Sequence, residues 1–535
     1  MIRKRMKVLS VFGVAVITLL AWPRVASAQH LTPIPHRETA RTQSQGRLNA
    51  VGAGSPWTPL TNQPTFLSPN CIGAANPILL TDGTVMIQDG GCPDWWRLTP
   101  DQNGSYVNGT WTQLASLPSG YSPLYHSSAV LPDGRLIIEG GEYNFFVPSW
   151  TNLGAIYDPI LNTWTSVAPP PFFGGFSHRH PHTIGDAQSV VLFDGTYMQA
   201  NCCTREEALL DPATLTWTPT GKGKFDVHDE EGWTLLPNKQ VLTVDAYVFQ
   251  YDSTGTNSET YVPASGKWHS AGSTMVQLWD SAAACGGASN ASQEVGPAIL
   301  RPDGSVFYTG ANGCGAGHTA IFDSNTATWT AGPDFPGDLD IADGPAALLP
   351  DGNVLMMTSP LVFQIGAQFF EWDGSNLNSV SGPPNSPIDS SYYGNMLVLP
   401  TGQILFTDFS NDIEIYTSAG TYNSAWIPRI QKAPGTVSRG GSYVISGHLF
   451  NGMSQAAAYG DDVQAATNYP LVRITNNATG HVFYCRTHDH SSMAVAFGGL
   501  VSTNFDVPAN QELGPSQLVV VANGIPSQPV SIDVQ

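Results

Sequence analysis

Short apolar runs, each broken by a turn signal and resumed on the far side, recur along most of the chain. Ser128-Ala129-Val130-Leu131 leads into Asp133-Gly134, and Arg135-Leu136-Ile137-Ile138 leads out again. Asp-Gly between two such runs is a strong hairpin signal, because glycine reaches the positive φ that a tight turn requires. The arrangement or a close variant occurs at Asp82-Gly83, Asp133-Gly134, Asp194-Gly195, Asn238-Lys239, Asp303-Gly304, Asp351-Gly352 and Thr401-Gly402. Successive first members stand 51, 61, 44, 65, 48 and 50 residues apart. A second pattern keeps phase with the first: Tyr157-Asp158-Pro159 precedes Trp164, Asp211-Pro212 precedes Trp217, Tyr261-Val262-Pro263 precedes Trp268, and Phe322-Asp323 precedes Trp329.

Each unit therefore predicts four short strands ending at a tryptophan, which is the pattern of a kelch-type propeller blade. One blade cannot bury both of its faces, so several must pack in a ring, with the tryptophans between blades. The count of turns predicts seven blades. Trp57-Thr58-Pro59-Leu60 resembles Trp111-Thr112-Gln113-Leu114, yet no full blade precedes it, so this segment is expected to supply the outer strand of the last blade. Beyond Trp426 the pattern changes to alternating strands such as Tyr443-Val444-Ile445-Ser446 and Val530-Ser531-Ile532-Asp533-Val534, which predict an immunoglobulin-like sandwich. The expected fold is all-β: a seven-bladed kelch-type β-propeller over 51–426, then an immunoglobulin-like (early-set) β-sandwich over 427–535.

Composition agrees with short strands and many turns: 54 glycines and 41 prolines, with only 12% charged residues, exclude a helical bundle or coiled coil. Arg3, Lys4, Arg5 and Lys7, the apolar run from Val8 to Trp22, and Ala26-Ser27-Ala28 read as a signal peptide over 1–28, followed by a linker over 29–50. Cleavage near Ala28 predicts a secreted protein, extracellular or periplasmic. No other stretch approaches the roughly 18 apolar residues of a membrane span. Removing the leader shifts the formal charge from −20 to −25, a field that repels nucleic acid and anionic membranes. Export permits disulfides: Cys71 with Cys92 and Cys285 with Cys314 are local pairs, Cys202 and Cys203 can bond to each other or elsewhere, and one of seven cysteines is left over. No zinc-type cysteine and histidine spacing occurs.

Propellers place ligands where the first strands of the blades converge. Eight residues before each turn the chain reads Ala74, Tyr125, Asp186, Glu230, Val295, Asp343 and Tyr393, with Glu231 and Glu294 one position away in their own blades. Carboxylates gathered there bind a cation or raise one another's pKa. Asp and Glu that only cap strands or tie blades together account for the column equally well. His488 and His490, two apart in the C-terminal unit, share a face if they lie on a strand and then suit a metal. His178, His180 and His182 alternate similarly in what reads as an exposed loop.

With Tyr422-Asn423, Pro428-Arg429-Ile430 and Gly440-Gly441-Ser442-Tyr443 at the passage between the two units, nearly the whole mature chain resembles the galactose oxidase and glyoxal oxidase superfamily. The resemblance implies one copper held by two tyrosines and two histidines, one tyrosine being cross-linked to a cysteine. On this pattern Tyr125 is the cross-linked tyrosine, Cys71 its partner and Tyr392 the second tyrosine. His490 or His488 reaches in from the C-terminal domain. Tyr393 stands where the other histidine belongs, so one copper-binding imidazole is missing, and a phenol replaces it poorly.

The expectation is therefore a carbohydrate or other polar small-molecule ligand at a degenerate oxidase site, held by Asp186, Glu230, Asp343 and Tyr393. Copper is then doubtful, and calcium or another divalent cation suits the oxygen donors better. The alternative is a metal-dependent oxidase of primary alcohols or aldehydes that releases peroxide. A hydrolase or lyase using Asp186, Glu230, Asp343 and His490, a quinone-dependent dehydrogenase and a scaffold for protein partners complete the candidates, since fold alone does not assign function.

Overall fold

The computed structural model describes residues 54–174, 183–247, 255–280, 292–312 and 315–535. The expected leader and linker, His178, His180, His182, Cys285 and Cys314 lie outside these residues. The all-β expectation holds: among the described residues the helical elements are 3-10 turns, Ser386–Ile388, Ser391–Tyr393 and Ser424–Trp426.

Four-stranded antiparallel meanders follow one another along the chain. Their first strands are Ala74–Leu79, Ser127–Val130, Ser189–Val191, Thr234–Leu235, Val295–Leu300, Ala346–Leu348 and Asn395–Val398. Every residue of these seven strands is buried, and first strands touch from the fourth meander through the seventh and on to the first, and between the second and third. Buried on both faces, they carry near-continuous apolar sequence instead of the half-polar alternation of a solvated sheet.

Six of the seven turns after these strands share one device. The side-chain oxygen of Asp82, Asp133, Asp194, Asn238, Asp303 and Asp351 accepts a hydrogen bond from the backbone N–H two residues on, at 3.0, 3.0, 3.1, 3.0, 2.9 and 3.0 Å. Such Asx contacts fix the turn locally. The following residue takes positive φ in each, including Lys239 at 71°, where the other turns place glycine.

Fourth-strand tryptophans link every meander but the sixth to its predecessor. The Trp111, Trp164, Trp217 and Trp329 ring N–H groups donate to the carbonyls of Asn62, Ala115, Ala168 and Ala271 at 2.8, 3.0, 2.8 and 3.1 Å. Trp57 continues the series. Its strand, Trp57–Pro59, pairs antiparallel with Glu414–Tyr416 as the fourth strand of the last meander, and its N–H reaches Ser381 O at the end of the one before.

The last part of the chain forms a nine-stranded assembly that includes Ser442–His448, Leu471–Asn476, Val482–His488, Val501–Asp506 and Gly514–Ala522, with a separate core around Ile445, Val472, Phe505 and Val520. Between its strands, residues 454–469 leave as a finger that runs among the first strands of the meanders. Ala457 and Ala458 pair with Ala347 and Ala346. Gln455 accepts from Leu235 N at 2.7 Å, the Gln464 carbonyl accepts from Ser128 Oγ at 2.7 Å, and Tyr469 OH donates to Leu79 O. Small side chains let the finger backbone approach this closely; at Gly460 a Cβ would stand 2.5 Å from Asp343 Oδ1.

Candidate functional site

The chemistry gathers at the starting ends of the first strands, away from their turns. Asp186, Asp229, Glu230, Glu294 and Asp343 stand just before the first strands of the third to sixth meanders, and Glu142 follows the second strand of the second. The fingertip adds Asp461 and Asp462. The Tyr459 hydroxyl donates to Tyr392 O at 2.8 Å and Val463 N donates to His126 O at 3.1 Å, which holds the tip in place.

These eight carboxylates lie close enough to act on one another. Burial raises all of them above the usual carboxylate range, Asp186 to about 6, and in the other seven neighbouring carboxylates push the same way. Among the described residues no Lys or Arg forms an ion pair with any of the eight. Glu230, Glu294 and Asp461 come together most tightly, each offering an oxygen within 4.8 Å of the others.

The next residue along has the opposite surroundings. Glu231, with Asp245 and Glu259, surrounds the Lys224 ammonium at 2.9, 2.7 and 2.8 Å in a fully buried knot. His228 Nε2 pairs with Glu207 Oε1 at 2.7 Å beside it. Acids of the same stretch thus divide into a neutralised group and an uncompensated one.

A phenolic flank adjoins the carboxylates. Tyr125, Tyr392 and Tyr393 pack with Ala75, Ile72 and Phe409. Tyr392 OH lies 3.3 Å from Tyr393 OH. Burial first, then Tyr392 and Glu142, hold the Tyr125 phenol well above its ordinary pKa, so it stays a neutral donor. Tyr125 and Glu230 both adopt positive φ, 51° and 60°, in the left-handed region that bulky side chains avoid. Such backbone concentrates at ligand sites when its surroundings hold it there.

Of the residues singled out from sequence, Tyr125, Asp186, Glu230, Asp343, Tyr392 and Tyr393 are brought to this end. Cys71 is bonded to Cys92, which occupies the sulfur that a thioether to Tyr125 would use. Cys202 and Cys203 are bonded to each other, and Cys485 is free and buried. His490 sits at the turn end instead: its N–H donates to Pro132 O at 3.1 Å, its Nδ1 meets Thr503 Oγ1 at 2.9 Å, and its ring stacks on Tyr469. His488 is held between Asp489 and Asp506 at 2.8 and 3.2 Å. The finger, not the strand carrying these histidines, runs among the first strands, and it brings carboxylates. The copper donors expected from the resemblance do not come together here: His488 and His490 lie at the far end and the Cys71 sulfur is bonded to Cys92.

Glu142, Asp461, Asp462 and His126 were not singled out from sequence. His126 is fully buried beside Tyr125, faces Asn76 at 3.0 Å and borders a cavity of about 10 Å³ shared with Asn76, Tyr125 and Tyr459. Only the acidic pair Asp461-Asp462 after the small-residue run Ala456-Ala457-Ala458 offered a signal.

No protein-family model and no curated protein matches the chain. Among solved structures it is similar to a fungal alcohol oxidase of the AA5 family in complex with copper, with 15% identity, 86% of this chain and 85% of that one covered, and a TM-score of 0.41. It is also similar to the extracellular domain of a protein described as a hybrid two-component system from B. thetaiotaomicron, with 10% identity, 86% and 57% coverage and a TM-score of 0.42. The chain thus spans little over half of that second structure, and superpositions this loose carry no conclusion about chemistry.

Proposed function

We propose that the chain is an exported seven-bladed kelch-type propeller, residues 51–426, with an immunoglobulin-like early-set domain, 427–535, and that it binds a polyhydroxylated small molecule or glycan at the channel mouth. The observation that carries this reading is the convergence of eight carboxylates without a cationic partner among the described residues, beside neutral phenols. Carboxylates accept hydrogen bonds from sugar hydroxyls, phenols donate to ring and hydroxyl oxygens, and aromatic faces cover apolar sugar C–H groups.

The likeness to the galactose oxidase superfamily belongs to this reading as architecture. Its copper chemistry does not, because the donors stand apart. Two measurements bear on the proposal. N-terminal sequencing of exported protein is expected to begin after Ala28. A glycan array probed with the mature chain is expected to show selective binding, and a blank array across sugars and polyols would overturn the ligand class. The oxidase alternative requires a Tyr125–Cys71 thioether in the mass spectrum and peroxide release from alcohols or aldehydes; an intact Cys71–Cys92 disulfide and no peroxide from copper-loaded protein are expected.

A further inference from the structure

We propose that Glu230, Glu294 and Asp461 form a binding site for one divalent cation of the calcium class, clamping the finger of the C-terminal unit to the fourth and fifth meanders. The three carboxylates come from distant parts of the chain and place one oxygen each within 4.8 Å of the others. That spacing admits a hard cation at the roughly 2.3–2.6 Å contacts of calcium, and an all-oxygen, acidic donor set selects calcium or magnesium over copper or zinc. Calcium takes about six to eight oxygens, so three carboxylates leave places for water or for hydroxyls of a bound ligand.

A second observation points to the same ion. Asp462 Oδ1 has no hydrogen-bond partner although the residue is only 2% exposed, and Glu294 Oε2 is also buried without one. Asp462 interacts electrostatically with Asp461 and Asp343, and Glu294 with the same two, so both residues lie beside the cluster. Buried carboxylates are normally satisfied by donors or by a cation. The available ammonium, Lys224, is already committed to Glu231, Asp245 and Glu259.

The site lies in the cluster proposed to bind a polyol but does not depend on that ligand, so it is tested in the absence of any sugar. Mature protein stripped with chelator and titrated calorimetrically with calcium chloride is expected to bind one ion per chain, with magnesium binding at least tenfold more weakly. Glu294→Gln and Asp461→Asn, which keep shape and remove charge, are each expected to weaken calcium binding at least tenfold, whereas Asp303→Asn in a remote turn is not. Crystals of wild-type protein soaked in terbium chloride, which need no variant to fold, are expected to show an anomalous peak between Glu230, Glu294 and Asp461. No calcium binding, unchanged affinity in both variants, or a terbium peak only elsewhere would overturn the proposal. A positive result here with a blank glycan array would retain the cation site and reject the sugar.

Discussion

Glu230 and Glu231 are adjacent in the chain and opposite in circumstance. Glu231 shares the Lys224 ammonium with Asp245 and Glu259, all buried, whereas Glu230 faces Glu294 and Asp461. Removing the cation of such a knot leaves several buried charges uncompensated, so Lys224→Met is expected to cost about 3–5 kcal/mol, read as a lowered urea midpoint. An unchanged midpoint would show that the knot is not formed in solution. His126 yields a pH dependence. Burial lowers its pKa to about 3, against roughly 6.5 in an unfolded chain. Between those values the unfolded state binds the proton and the folded state does not, so stability falls as pH drops through this window. His126→Gln is expected to flatten the loss of stability between pH 7 and pH 4; an equally steep acid limb would contradict the burial. At this scale the repeat register made Tyr125, Asp186, Glu230 and Asp343 legible. Asp461 and Asp462 were not, because they reach the site through a finger whose path no local pattern encodes, and Lys224 stands outside the column altogether.

The recurring hairpins were the most legible elements, since an Asx contact and a positive-φ residue are local requirements written in two letters. What surrounds each turn was not legible. Gly304 turns beside the flexible amide of Asn325, whereas Gly83 lies under the Tyr484 ring of the C-terminal unit, with a Cβ position only 2.4 Å from it, and its carbonyl accepts from Tyr106 OH. Gly304→Ala is therefore expected to cost about 1 kcal/mol from backbone strain, and Gly83→Ala about 2–3 kcal/mol because a packed ring must also move. Equal thermal shifts would contradict the packing of Tyr484 on that turn. The tryptophan spacing likewise announced contacts between successive units, and the ring N–H bonds supply their form. The Trp57–Pro59 pairing with Glu414–Tyr416 was expected because a lone fourth-strand sequence near the start had no meander of its own.

Over the whole molecule, the finger carries the C-terminal unit in among the first strands of the meanders. Ala457 and Ala458 extend one meander, Gln455 and Gln464 satisfy two others, and the tip supplies two of the eight carboxylates. A chain ended at residue 426 is accordingly expected to lack cooperative thermal unfolding, and a truncated chain melting like the full one would contradict this dependence. The all-β character was readable from composition and periodicity. The interpenetration was not, because it depends on alanine and glycine backbones meeting the first strands at close range. The central claim is that the uncompensated carboxylates at the channel mouth form a ligand site. The most direct test is calorimetric titration of the mature chain with a panel of monosaccharides and polyols, comparing wild type with Asp186→Asn and Asp343→Asn. At least one ligand is expected to bind, with affinity reduced at least tenfold in each variant; no binding by any of them, or the same affinity in both variants, would contradict the claim.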